Sequence, residues 1–542
     1  MNAVVLLLGA IVLFFIAYVT YGSWVAKKWG IDPARKTPAH TNFDNVDYVP
    51  ADAKVLLGHH FSSIAGAGPI TGPIIAAVFG WIPVYLWIII GSIFVGGIHD
   101  FGALFTSIRH EGKSIGEIIK ETLGKKGKLL FNIFAWATLI LVVAAFTDIC
   151  AGSFAYDAST PEILSGAQVG TASMLFIVLA VLFGIMVNKK GKKLGVSTLI
   201  GVILLFICIA IGYNFPILKL SKNIWMLILI VYIACASILP VWILLQPRDY
   251  LCSFLLYAML IGGVIGIFIT NPTLEISGFT GLVNGNGDTL FPFLFVTVAC
   301  GAVSGFHSLV GSGTSSKQIN KEGDAKLVGY GAMLIEGIVA VIALIAVGAF
   351  VGVKGAPATV FANGLATFMN GFGLPIEIGR VFVLLTFSAF ALTSLDTATR
   401  IGRYVFQETF SDSSENIKNI CCNKWFATII TIGASGALTM YGYTKIWPIF
   451  GSANQLLAAL ALLALSAWLI KVGRTYVMAL IPMIFMFIVT ISALGILIYK
   501  NLFAGGSIML GVLGAVLLIV AILLLIEAYN RLIRKKTKGK TA

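Results

Sequence analysis

In the stretch LGHHFSSIAGAGPITGPIIAA, Leu57 to Ala77, two adjacent histidines precede two serines, and four glycines and two prolines punctuate an otherwise apolar region. Imidazole, with an ordinary pKa of about 6.5, can take up and release a proton at physiological pH. Adjacent side chains on a helix diverge by about 100°, so one of His59 and His60 is expected to face a cavity and the other protein. Ser62, Ser63, Gly66 and Gly68 follow them, and a second stretch sets His307 among Ser304, Ser308, Ser312 and Thr314. Hydroxyls and freed carbonyls bind a carboxylate or a cation, and a half-helix N-terminus favours the anion. These residues form the candidate substrate site. Lys317, at the end of the second stretch, reads as an anchor at the membrane surface. Three imidazoles suggest zinc, but the spacing of His59, His60 and His307 does not favour it, and no metal centre is expected.

Asp100, Asp148, Glu336 and Asp396 are the carboxylates expected to couple transport to protons, because a charge inside an apolar run is costly to keep without a function. Asp396 and Arg400 stand at the i, i+4 spacing of an ion pair. Ser394, Thr397 and Thr399 are a possible sodium site. The expected energy source is therefore a proton gradient, with sodium possible, and no cofactor.

The elements that position these residues belong to a membrane. The 542 residues are 58% hydrophobic and 11% charged, whereas soluble proteins carry about 25% charged residues. Apolar runs of about 20 residues, enough to cross a bilayer, recur along the chain. They predict some fifteen helices, within a range of 14–18, near 3–25, 55–80, 82–108, 129–152, 168–188, 195–214, 223–245, 249–270, 291–316, 327–352, 377–400, 425–440, 447–467, 475–499 and 506–530. Residues 3–25 lack the basic start of a signal peptide and read as a retained helix. Basic residues cluster at 109–128, 189–193, 317–326 and in the tail 531–540, which the positive-inside rule assigns to the cytoplasm. The expectation is a multi-pass protein of the cytoplasmic membrane with its N-terminus outside and its C-terminus inside. The net charge of +14 thus points to topology and not to nucleic acid. Several tryptophans near span ends, among them Trp24, Trp81, Trp87, Trp225 and Trp447, fit an interfacial belt, with cavity lining as the alternative for Trp81 and Trp87. The span at 353–376 is the least regular and fits an interfacial or re-entrant helix.

Ser63-Ile-Ala-Gly-Ala-Gly68 is echoed by Ser308-Leu-Val-Gly-Ser-Gly313, in helices expected to enter from opposite sides. Asp100 and Glu336 follow in the next helix of each set, and Asp148 and Asp396 in the one after. Paired Gly-interrupted segments in inverted repeats mark the binding site of a secondary transporter. The division expected is an N-terminal helix at 1–30, a first repeat at 55–290 broken at 58–73, a second at 291–530 broken at 304–316, and a basic tail at 531–542. Breaking a helix at membrane depth frees backbone groups that are tolerated only against protein or a wet cavity.

GHHFSSIAGAGPITGP, the HDF of His99 to Phe101, SGFHSLVGSGTSSKQI from Ser304, GYGAMLIEG from Gly329 and SLDTATRIGRYVFQE from Ser394 together resemble the signature segments of the carbon starvation protein A family. The resemblance runs from about residue 30 to 500. It implies a member of the amino acid, polyamine and cation transporter superfamily, an all-α polytopic protein with a LeuT-like inverted-repeat core, two broken helices and peripheral helices. A seven-plus-seven repeat fits the helix count almost as well as five-plus-five. The family also implies uptake of peptides or pyruvate during nutrient limitation, driven by protons, with sodium-coupled symport of amino or organic acids as an alternative. The expected partners are that small molecule and the lipid bilayer. A channel or a metal-dependent intramembrane enzyme is the rival class, but neither a TVGYG filter nor HExxH occurs, and GxxxxGK[ST] is absent.

Overall fold

A bilayer offers the backbone no hydrogen-bond partners, so apolar runs of this length are driven into helices. The computed structural model describes residues 1–44, 47–190, 194–240, 243–285, 287–350 and 355–530, with backbone alone at 187–190 and 194. The tail 531–542 and most of the basic loop 189–193 lie outside the described residues. Among the described residues the chain is helical throughout, with extended pairing confined to isolated bridges.

Each of the fifteen expected spans meets a helical segment. Twelve are long and apolar enough to cross a membrane, and a bent pair makes thirteen. The other two, Lys222–Ile238 and Lys424–Thr439, are 17 and 16 residues long, just under the usual length of about 20. Pro357–Asn370, in the irregular 353–376 region, is a 14-residue helix. At 1.5 Å per residue it reaches about 21 Å, short of the hydrocarbon core. It packs on Leu245–Thr270, Ala332–Gly348 and Ile376–Phe410. Trp87, Trp225 and Trp447 are buried between helices, Trp87 edge-on to Phe295 and Trp225 to Phe154, so of the five expected belt residues Trp24 is exposed and Trp81 half-buried.

The first broken span consists of Ala53–Ile64 and Gly68–Phe79, bent by 46°. Ala65 leaves the helical region with ψ of 59°, and Pro69, lacking an N–H, starts the second half without losing a bond. The second is Leu290–Val298 followed by Gly305–Gly313. Its break lies at 299–304, on the N-terminal edge of the expected 304–316. Ala299 has a positive φ of 43° and Ser304 is extended, while the glycines after Ser304 serve a regular helix. The echo of Ser63–Gly68 in Ser308–Gly313 is therefore out of structural register. Ala53–Ile64 packs on Gly305–Gly313, and Gly68–Ala76 on Leu290–Val298. First half lies against second half in each case, so the two broken spans run antiparallel, as an inverted repeat requires.

The described basic segments gather at one end of the bundle. Arg109 and Arg35 both reach Glu322, at 2.6 and 4.0 Å, Ala51 bonds to Gln318, and Lys317 lies over the Tyr48 ring. At the other end, Ala3 bonds to Pro272, Glu275 to Gly348, and Lys500 to Asp288.

Candidate functional site

Two buried groups of charged side chains flank the broken spans. The first is a chain of imidazoles and carboxylates. Asp100, in the Gly97–Arg109 helix, accepts from His99 Nδ1 at 2.7 Å and from His307 Nδ1 at 2.8 Å. A carboxylate accepts only, so both nitrogens carry the hydrogen. The far nitrogen of His307, Nε2, lies 3.5 Å from Glu336, and neither Glu336 oxygen has a hydrogen-bond partner. All four residues are at most 1–2% exposed. The echo of Asp100 by Glu336 thus has a structural counterpart: each carboxylate comes from the helix after a broken span, and both converge on the histidine of the second.

Cys300 Sγ, a ring nitrogen of His307 and a Glu336 oxygen lie within 4.8 Å of one another. That spacing suits a cation, and equally a proton held between the imidazole and the carboxylate. His307 shares no such cluster with His59 and His60.

The second group has Arg248 at its centre, a residue that hydropathy reading passes over because QPRDY sits between two apolar runs. Arg248 is 0% exposed and reaches Asp396 Oδ2 with Nη1 and Asp249 Oδ1 with Nη2, the latter at 2.8 Å. Tyr232 donates to Asp396 at 2.7 Å and accepts from Arg248. The expected Asp396–Arg400 pair is therefore corrected. Asp396 belongs to Arg248, while Arg400 donates to the carbonyls of Ala236 and Leu239. Helical spacing permits a pair, but a fully buried guanidinium on a neighbouring helix competes better for the carboxylate.

His59 and His60 diverge as their adjacency requires. His59 Nδ1 lies 3.6 Å from Asp249, and His60 Nδ1 is 2.7 Å from Ser315 Oγ in the second broken span. Both face protein. The hydroxyls expected to bind substrate are mostly turned into their own helices. Ser63 donates to His59 O, Ser308 to Gly305 O, Ser312 to Ser308 O and Thr314 to Val310 O. Ser62 reaches Asp249 O at 3.4 Å, and Ser304 shares Asn454 with the start of its helix. Gly66 and Gly68 are close-packing positions, where an added Cβ would come within 2.5 Å of Ser394 Oγ and Cys300 Sγ respectively. At the possible sodium site, Ser394 donates to Ser63 O beside the first break and Thr399 to Leu395 O. Thr397 is buried nearby.

Asp148 is not brought to the other carboxylates. It binds Lys222 at 2.7 Å and the Tyr443 backbone N–H at 3.0 Å, and lines a cavity of about 220 Å³ with Thr71 and Phe387. A second cavity, of about 250 Å³, touches Ser312, Gly313, Lys317 and Glu408. The two lie at opposite ends of the Ile115–Phe154 helix, with the charged groups sealed between them.

Membrane-buried imidazole and carboxylate chains beside paired broken helices are transporter machinery. The model of the family described as carbon starvation protein CstA matches residues 2–352 and 348–493. The chain belongs to the CstA family. It is 31% identical to the peptide transporter CstA of Bacillus subtilis (strain 168), over 98% of this chain and 97% of that protein. It is 32% identical to the pyruvate/proton symporter BtsT of Escherichia coli (strain K12), over 92% of this chain and 82% of that one. Among solved structures, a manganese transporter of Eremococcus coleocola aligns over 91% of this chain and 99% of its own, at 13% identity and a TM-score of 0.48. This CstA-family chain is thus a multi-pass membrane transporter and not an enzyme.

Proposed function

We propose that this CstA-family transporter takes up a carboxylate-bearing small molecule, a peptide or pyruvate, together with protons across the cytoplasmic membrane. The observation that carries this reading is the His99–Asp100–His307–Glu336 chain. Glu336 has no hydrogen-bond partner and faces an imidazole whose other nitrogen is committed to Asp100. A proton on Glu336 supplies the missing partner, and its loss leaves a bare carboxylate in a dry site. Occupancy of that proton therefore biases how the second broken span packs against the Ala332–Gly348 helix. The gathering of basic segments at one end supports a cytoplasmic assignment for that end, with the N-terminus outside.

The sodium-coupled alternative rests on Ser394, whose hydroxyl lies beside the carbonyls freed at the first break. One experiment separates the two: uptake of radiolabelled pyruvate and of a labelled dipeptide into proteoliposomes, with an imposed proton gradient, with and without sodium. Proton-driven accumulation of either, lost in Glu336→Gln, is expected. Accumulation that requires sodium and ignores the proton gradient, or uptake unchanged in Glu336→Gln, would overturn the proton assignment.

A further inference from the structure

The Arg248 cluster stands apart from the His99–Asp100–His307–Glu336 chain, and its charges do not cancel. Arg248 contributes one positive charge, Asp249 and Asp396 two negative ones, and all three are 0% exposed. A buried guanidinium held by two carboxylates is a costly way to brace helices, since apolar packing serves as well. Three of its polar atoms, Arg248 Nε, Asp249 Oδ2 and Asp396 Oδ1, have no hydrogen-bond partner. Arg248 also stands in the first turn of the Leu245–Thr270 helix, where the dipole adds positive potential. The place is built for an anion, and the planar fork of arginine matches a carboxylate best.

We propose that Arg248 is the seat of the transported carboxylate, and that Asp396 occupies it in this conformation as an internal substitute. The inference rests on the reading that the substrate carries a carboxylate. A proton from solution adds to Asp396 and weakens its hold on the guanidinium, and the substrate carboxylate then takes its place. The charge count explains the coupling. Empty, the cluster sums to one positive and two negative charges. Loaded, with Asp396 neutral, it has Arg248 against Asp249 and the substrate, which is the same sum. One proton thus accompanies one carboxylate at no change in buried charge.

Arg248 and Tyr232 face Asp396 directly; the titratable groups that in turn face Arg248 are Asp249 and Cys252 on the 245–270 helix, Tyr232 on 222–238, His59 on the first broken span and Cys150 on 115–154, and Arg400 stands one turn from Asp396 on its own helix. Arg400 is engaged by backbone carbonyls. Access requires that the first broken span part from the 245–270 helix near Asp249, a seam that also carries the stacked Phe61 and Tyr257 rings. The two polar contacts across that seam, Ser62 Oγ to Asp249 O at 3.4 Å and His59 to Asp249 at 3.6 Å, are long ones. The first break itself borders the site through Ser394, two residues before Asp396.

The test is equilibrium binding to the purified full chain, at mildly acidic and mildly alkaline pH, of radiolabelled pyruvate and dialanine, each compared with its own amide. Wild type is expected to prefer the carboxylate form by about tenfold or more, the worth of a charge-assisted hydrogen bond, and to bind it more tightly at acidic pH. Asp396→Asn is expected to bind the carboxylate at least as tightly, with a smaller pH dependence than wild type, and to lose gradient-driven accumulation. Arg248→Gln combined with Asp396→Asn keeps the cluster's net charge, which protects folding, and is expected to lose the preference for carboxylate over amide. A double variant that still discriminates, an Asp396→Asn variant that binds neither probe, or a wild type without preference overturns the proposal. Binding that needs Arg248 without proton-driven accumulation removes proton coupling alone. Accumulation with binding indifferent to Arg248 removes this assignment alone.

Discussion

Replacing Asn454 with leucine is expected to unseat the second broken span. Asn454 is fully buried in the Tyr443–Lys471 helix. Its Oδ1 accepts from the Phe306 backbone N–H at 2.9 Å, and its Nδ2 donates to Ser304 Oγ at 3.0 Å. The Gly305–Gly313 helix has no side-chain cap of its own at Ser304, so Asn454 caps it from a neighbouring helix. Leucine fills similar space but leaves a buried N–H and a hydroxyl short of a partner. The orphaned N–H and the lost cap are one and the same bond, and its loss costs about 1–3 kcal/mol. His307 is the next residue after Phe306, so the same change shifts the imidazole relative to Asp100 and Glu336. The assay is unfolding of the purified protein in mixed micelles, paired with proton-driven uptake. Gln455→Met is the control, because its one recorded bond, to Phe295 O, is long at 3.4 Å. An Asn454→Leu variant within about 0.5 kcal/mol of wild type, the scatter of neutral substitutions, would refute the capping argument.

Gly72→Ala is expected to prevent closure of the paired spans, because the added methyl would overlap the Val298 carbonyl, a backbone atom with no rotamer to escape to. Gly58→Ala, whose nearest neighbours would be Tyr257 OH at 3.3 Å and Ser253 Oγ at 3.4 Å, is expected to fold; monodispersity after extraction compares them, and equal behaviour sinks the distinction. Asp148→Asn is expected to keep its response to an imposed proton gradient, since its partners are Lys222 and the Tyr443 backbone. Loss of that response, in a variant that unfolds at the wild-type midpoint, would return Asp148 to the coupling machinery.

Hydropathy made the spans legible because a bilayer demands about 20 apolar residues for each crossing, and even the short Lys222–Ile238 and Lys424–Thr439 helices stand out against polar loops. The first break was equally legible, since Gly66, Gly68 and Pro69 sit where the helix ends. The second was displaced because glycine has two uses. At Gly305 it admits a close approach to the Asn454 backbone inside a regular helix, while the chain actually turns at Ala299, which carries no sequence signal for a break. His307, Asp100 and Glu336 were found by their cost in an apolar run. Arg248 and Asp249 were not, because their short polar stretch reads as a loop between spans. An arginine flanked by an aspartate next to a long apolar helix is the signal that could have exposed them.

The two charged groups are joined through two consecutive residues. His60 ties the Ala53–Ile64 half to the second broken span by a 2.7 Å contact with Ser315, whereas His59 reaches Asp249 only at 3.6 Å. Both polar contacts of that half with Asp249 are longer than the one with Ser315, so its shorter side-chain bond is the one to its antiparallel partner, while its packing on the 245–270 helix is apolar, with Phe61 stacked on Tyr257. A motion that opens the Arg248 seam and keeps the His60–Ser315 bond carries the two broken spans together. It keeps His60 on Ser315 and draws His59 away from Asp249. Since His307 rides on the second span, the same displacement alters its distance to Glu336 on the 332–348 helix. The two adjacent histidines point different ways, so that one faces the proposed carboxylate seat at Asp249 and the other the second broken span that carries His307.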